Sequence, residues 1–137
     1  MQSSTNIWND GAIITLRNQC SGRFLQTSPS KTINVGGTEG RSTFWKVRRT
    51  NSNTMPAHVR LESVEHKGEY LHVTEGGLIC LSPAHCDFKA EPQGSMFILE
   101  PVMRPKMYVG GNSDGTIRLP KDTHIGDHAR FTVCQVE

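Results

Sequence analysis

Val59-Arg60-Leu61-Glu62-Ser63-Val64-Glu65-His66-Lys67-Gly68-Glu69-Tyr70-Leu71-His72-Val73, continued by Ile79-Cys80-Leu81, is the stretch whose reading decides the fold. Val59 to Glu62 alternates apolar with polar, as a half-buried strand does. The polar run that follows reads as a turn, with Gly68 two residues before an aromatic. Tyr70-Leu71 then opens a second strand. An isoleucine, Ile79, stands nine residues after the aromatic, and Leu81 follows two residues on. The same signature occurs twice more. Phe24-Leu25 leads at the same spacing to Ile33 and Val35, and Tyr108-Val109 leads to Ile117 and Leu119. A unit repeated along a chain outranks local propensity in assigning a fold.

Each copy ends on an aromatic with an aliphatic two residues on: Trp45 with Val47, Phe97 with Leu99, and Phe131 with Val133. That spacing puts both large side chains on one face of a strand. The isoleucine and the closing aromatic lie 12, 18 and 14 residues apart by numbering, so this stretch reads as a variable surface loop. Ile14-Thr15-Leu16-Arg17, before the turn Cys20-Ser21-Gly22-Arg23, supplies the first copy's opening strand. In the third copy Pro101 and Pro105 leave room only for a short or irregular strand before Tyr108. Helical periodicity is poor, and a single turn is expected around Asp87–Glu91, before Pro92. These readings predict an all-β fold, a β-trefoil of three pseudo-repeats of four short strands. One domain spans 1–137, with repeats near 11–53, 54–101 and 102–137. Phe24, Leu25, Ile33, Trp45, Tyr70, Ile79, Phe97, Tyr108, Ile117 and Phe131 are its expected core, and Trp8 and Phe88 are read as aromatics outside it.

Composition agrees. Hydrophobic residues make up 35% of the 137, lean for a helical bundle but sufficient for short strands joined by polar turns. The formal charge of +2 has no dense basic run, which argues against a nucleic-acid partner. The start, Met1 to Asn6, has neither a basic nor an apolar segment, and no run reaches membrane-spanning length. A cytoplasmic location is therefore expected, with unconventional secretion leaving no such mark. Cys20, Cys80, Cys86 and Cys134 are expected there as free thiols, mostly buried.

Two stretches carry a resemblance. Val59 to Val73 with Glu75-Gly76-Gly77-Leu78-Ile79-Cys80-Leu81 resembles the middle repeat of fascins, hisactophilins and fibroblast growth factors. Met107-Tyr108-Val109-Gly110-Gly111 through Gly115, with Thr123-His124-Ile125-Gly126-Asp127-His128-Ala129, is similar to the last repeat of the growth factors and to galactose-binding trefoil lectins of molluscs. The resemblance implies the trefoil fold and a choice among lectins, cytokines, protease inhibitors and actin-binding proteins. Ricin-type lectins carry Gln-x-Trp where this chain reads Thr43-Phe44-Trp45, Ser95-Met96-Phe97 and Ala129-Arg130-Phe131. The growth factors' basic heparin cluster is reduced here to Arg118, Lys121 and Arg130 among Asp122 and Asp127.

The most suggestive polar cluster is Asp122 to His128, with Gly110 to Asp114 beside it. Imidazoles, carboxylates and amides in one loop can hold sugar hydroxyls through paired hydrogen bonds. Asn112, Asp114, His124, Asp127 and His128 are thus the candidate ligand-binding residues; the plain alternative is a solvated loop with turn-capping aspartates. Cys80 with His85-Cys86 lacks a fourth ligand, so no metal or cofactor is expected. No nucleophile elbow or phosphate-cradling glycine loop is present. The expected function is a non-catalytic, lectin-like carbohydrate binder. Its alternatives are a protein-interaction module with actin as first partner, a growth-factor-like signal, or a protease inhibitor acting through the loop from Ser82 to Gly94.

Overall fold

Short alternating segments form ten strands in the computed structural model, which describes residues 7–52 and 54–136. They are β1 (Ile13–Asn18), β2 (Phe24–Thr27), β3 (Ile33–Gly37), β4 (Trp45–Arg49), β5 (Ala57–Ser63), β6 (Tyr70–Val73), β7 (Ile79–Ser82), β8 (Phe88–Gln93), β9 (Met96–Pro101) and β10 (Phe131–Gln135). Single 3-10 turns lie at Arg41–Thr43 and Pro120–Asp122. β1 pairs with β10 on one side and β4 on the other. β4 pairs with β5, β5 with β8, β8 with β9 and β9 with β10, so six antiparallel strands close a barrel. The β2–β3 hairpin leaves this ring from β1 and the β6–β7 hairpin from β5. Between β9 and β10 the chain makes one isolated bridge, Gly111 with Ile117.

Alternation sets what each strand contributes. On β4, Trp45 and Val47 point inward while Lys46 and Arg48 are half-buried on the outer face; on β5, Ala57, Val59 and Leu61 point inward. Trp8, Trp45, Phe88 and Phe131 are fully buried, each burial favouring the fold by about 1.5–3 kcal/mol or more. Trp45 also donates its indole N–H to the Leu25 carbonyl at 3.2 Å, tying the β2–β3 hairpin to the barrel wall. Trp8 sits edge-on to Phe97 with ring centroids 5.3 Å apart.

Several expectations are corrected. Asp87–Glu91 is not a helical turn: Phe88–Gln93 is β8, paired with both β5 and β9. Its helix-like mix of residues is overridden by burial of Phe88 and Ala90 on one face. Phe97 and Leu99 belong to β9, which directly follows β8, and no separate strand lies between β9 and Tyr108, where the chain turns instead. Trp8 and Phe88, read as outside the core, lie wholly inside it, whereas Leu119 is 41% exposed. Phe24, Tyr70, Ile79 and Ile117 are only half-buried. All four cysteines are free, but Cys86 alone is buried, Cys134 is exposed, and Cys20 and Cys80 lie between.

The turns after β1, β5 and β9 are gripped in related ways. Gly22, Gly68 and Lys106, each two residues before an aromatic, have φ of 69°, 86° and 68°. Glu62 accepts the Gly68 N–H at 2.9 Å and Glu100 accepts that of Lys106 at 2.6 Å. After β1 the polarity inverts, and Arg17 donates from Nε to the Gly22 carbonyl at 2.8 Å. A left-handed lysine costs roughly 1–2 kcal/mol, and the charge-assisted bond from Glu100 offsets it.

The segment carrying Gly111 packs directly on β3. A Cβ on Gly111 would lie 2.1 Å from Cγ2 of buried Val35, whereas one on Gly126 would meet nothing within 4 Å. Gly111→Ala should therefore destabilise the protein by about 1–3 kcal/mol in urea denaturation, while Gly126→Ala stays within about 0.5 kcal/mol. Equal effects at the two positions would contradict this packing.

Candidate functional site

The five residues singled out by sequence lie on two segments, which the bond from His128 to the Gly111 carbonyl joins. Asn112 and Asp114 lie in a tight turn closed by the Gly115 N–H on the Asn112 carbonyl at 2.9 Å. The Asp114 carboxylate accepts the Thr116 hydroxyl at 2.7 Å and the Thr116 N–H at 3.0 Å, bonds that hold its carboxyl below the usual range. Asn112 donates to the Thr116 hydroxyl and accepts from Arg118, both at 3.0 Å. Arg118 continues to the Asp122 carbonyl at 3.0 Å. His128 is half-buried, and its Nδ1 donates to the Gly111 carbonyl at 2.8 Å, fastening one segment to the other. Asp127 is exposed and accepts from Arg130 at 3.2 Å; His124 is exposed. Three of the five thus hold the loop's own shape, and two project to solvent. No group of three or more His, Cys, Asp and Glu among the described residues is placed to hold a metal ion.

A different region forms the roomiest cavity described here, about 450 Å3, lined by Gln26, Thr27, Ser28, Pro29, Ser42 and Glu65. β2 carries Gln26 and Thr27, the 3-10 turn carries Ser42, and the β5–β6 turn brings Glu65. Gln26 is held from two sides: its amide donates to Asn34 at 3.0 Å and its carbonyl accepts from Ser42 at 3.3 Å. Gly37 makes this possible, because a Cβ there would stand 2.7 Å from Gln26 Oε1. One amide N–H and one carbonyl lone pair of Gln26 remain for a further partner. The Thr27 hydroxyl is buried with no partner among the described residues. Ser28 is bound to Ser30 and Thr32 at 2.9 and 2.7 Å. Glu65 meets Arg41 at 3.6 Å and is 40% exposed.

Sequence reading missed this cavity. The polar run Gln26-Thr27-Ser28 directly after Phe24-Leu25 was a visible signal, but the remaining walls come from two distant turns.

On the far side of the Arg41–Glu65 pair the outer face of β4 becomes strongly basic, and Glu62 is the carboxylate at its centre. Burial pushes the Glu62 carboxyl up, but the Gly68 N–H, the Arg48 guanidinium and the Lys46 charge outweigh it and hold the group below the usual range. Arg48 contributes bonds of 3.1 and 3.0 Å to Oε1. Among the cysteines, burial pushes Cys80 and Cys86 up, so neither is a thiolate at neutral pH.

Comparison of the chain with protein-family models and with curated proteins finds no match. Among the described residues, no helix is long and apolar enough to cross a membrane.

Because the folded Glu62 value is depressed, its stabilisation is present above the unfolded carboxylate value of about 4.3 and is lost as pH falls through the folded one. Glu62→Gln should cost about 1–2 kcal/mol at pH 7, with the difference from the parent protein shrinking in acid. Arg48 is 42% exposed, which keeps the Coulombic share small. Urea titrations at neutral and acid pH measure this, and a pH-independent difference would contradict it.

Proposed function

We propose that the chain is a β-trefoil of three related copies and acts as a non-catalytic, carbohydrate-binding protein through the cavity at Gln26, Thr27, Ser28, Ser42 and Glu65. Support for the threefold reading comes from the paired roles of β1, β5 and β9. Each joins the barrel, and each is followed by a turn with a left-handed residue two before an aromatic. With β9 opening the third copy, the second copy would close on Phe88 rather than Phe97, which moves its boundary back from 101 to near the β8–β9 turn.

The observation that carries the functional reading is the cavity's size and lining together. At about 450 Å3 it falls in the range of small-molecule sites, whereas the other four cavities described here, of about 150–220 Å3, fall below it. Its walls offer an amide, hydroxyls and one carboxylate, donors and acceptors suited to a polyhydroxylated ligand. Glu65 is its only ionisable lining residue, which favours binding over acid–base catalysis.

A broad glycan array probed with labelled protein tests the proposal. Selective, competable binding to one sugar type is expected, falling at least tenfold in the Gln26→Ala, Glu65→Ala double variant while both proteins remain folded. Undiminished binding by the variant would move the site elsewhere. A blank array from folded protein would overturn the lectin reading in favour of a protein partner, with filamentous actin the first to test. The turn after β9, where Val102 is 37% and Met103 81% exposed, is the surface that would favour such a contact.

A further inference from the structure

Four cations converge on one cavity of about 220 Å3 on the outer face of the barrel. Lys46 and Arg48 come from β4, where the i, i+2 spacing puts both on the outer side. Arg41 comes from the 3-10 turn and Lys67 from the β5–β6 turn, so three separate segments deliver positive charge to one place. Glu62 is the only acidic residue in the lining.

The charges do not cancel. Both Glu62 oxygens are engaged, Oε1 by Arg48 and Oε2 by the Gly68 N–H. Glu65, outside the cavity, meets Arg41 at 3.6 Å. Lys46 and Lys67 form no ion pair among the described residues. Four cations less two carboxylates leave a net charge of +2. Like charges held this close repel one another, and a bound anion turns that repulsion into attraction.

We infer that this cavity is a binding site for a tetrahedral dianion, either free phosphate or sulfate or the phosphate monoester end of a larger ligand. A dianion matches the two uncompensated charges. The guanidinium groups supply directed N–H donors, since Arg48 uses only Nε and Nη2 on Glu62, and the lysines act as point charges. The volume is below that of a site for a whole drug-sized molecule and suits one compact group. Nucleic acid would need a basic stripe following a backbone; these cations instead surround a single concavity. The neighbouring cavity at Arg60, His72, His85, Cys86 and Arg104 is a weaker candidate, because Arg60 already binds Asp87 at 2.6 Å and the space is about 150 Å3.

Isothermal titration calorimetry of the full chain with sodium phosphate and sodium sulfate at fixed ionic strength, with chloride as the control, tests the site. One-site, saturable binding of both dianions is expected. The Lys46→Gln, Lys67→Gln double variant should weaken it at least tenfold while its urea midpoint stays that of the parent. Tighter binding of the phosphate monoester of glucose, which keeps both charges, than of inorganic phosphate would identify a ligand-borne group; equal or weaker binding would identify the free ion. Heats indistinguishable from chloride, or unaltered binding by the folded double variant, would overturn the inference. Inorganic ions are the primary probe, so this result stands apart from the outcome with neutral sugars.

Discussion

Every part of this molecule depends on β1 being paired along both edges. With β10 on one side and β4 on the other, the ring of six strands has no open edge. β1 and β10 are the first and last strands among the described residues, so the ring closes only when the strands between them are in place. That closure encloses Trp45, Phe88 and Phe131, and it fixes which side of each strand faces out. A shift of one residue in the β4–β5 register would put Lys46 and Arg48 into the core, so burial of Trp45 and Val47 also sets the basic outer face.

The proposed sites are consequences of that register. Trp45 reaches from the wall to the Leu25 carbonyl and holds the β2–β3 hairpin where Gln26 and Thr27 line their cavity. Asn34, Ser42 and the space left by Gly37 then hold the Gln26 amide in place. Glu62 ties β4 to the β5–β6 turn through Arg48 and Gly68, and that turn brings Glu65 to one cavity and Lys67 to the other. The Arg41–Glu65 pair stands between them. A hydroxyl-rich cavity with a single carboxylate and a cationic one thus lie side by side on a shared pair of turns.

Much of the fold was legible because side-chain alternation and the aromatic-to-isoleucine spacing report local strand geometry. Ile14, Val59, Leu61 and Trp45 all lie where their alternation puts them. Phe88 was not legible, since Asp87-Phe88-Lys89-Ala90-Glu91 fits one helical turn as well as a strand, and only pairing with β5 and β9 decides. Trp8 was missed because it lies outside any strand and is buried through the contact with Phe97. The polar loop from Asp122 to His128 attracted attention by composition, yet side chains such as His128 and Asp114 satisfy their own backbone. A cavity with walls from three distant segments leaves no such compositional mark.

The central claim is that ligand recognition belongs to the β2 and β5–β6 surface rather than to the loop between Asn112 and His128. Amide chemical-shift mapping of isotope-labelled protein against a panel of neutral mono- and disaccharides tests it most directly. The account predicts saturable shifts centred on Gln26, Thr27, Ser28, Ser42 and Glu65. Shifts centred instead on Asn112, Asp114, His124, Asp127 and His128 would contradict it, as would a spectrum that no sugar perturbs.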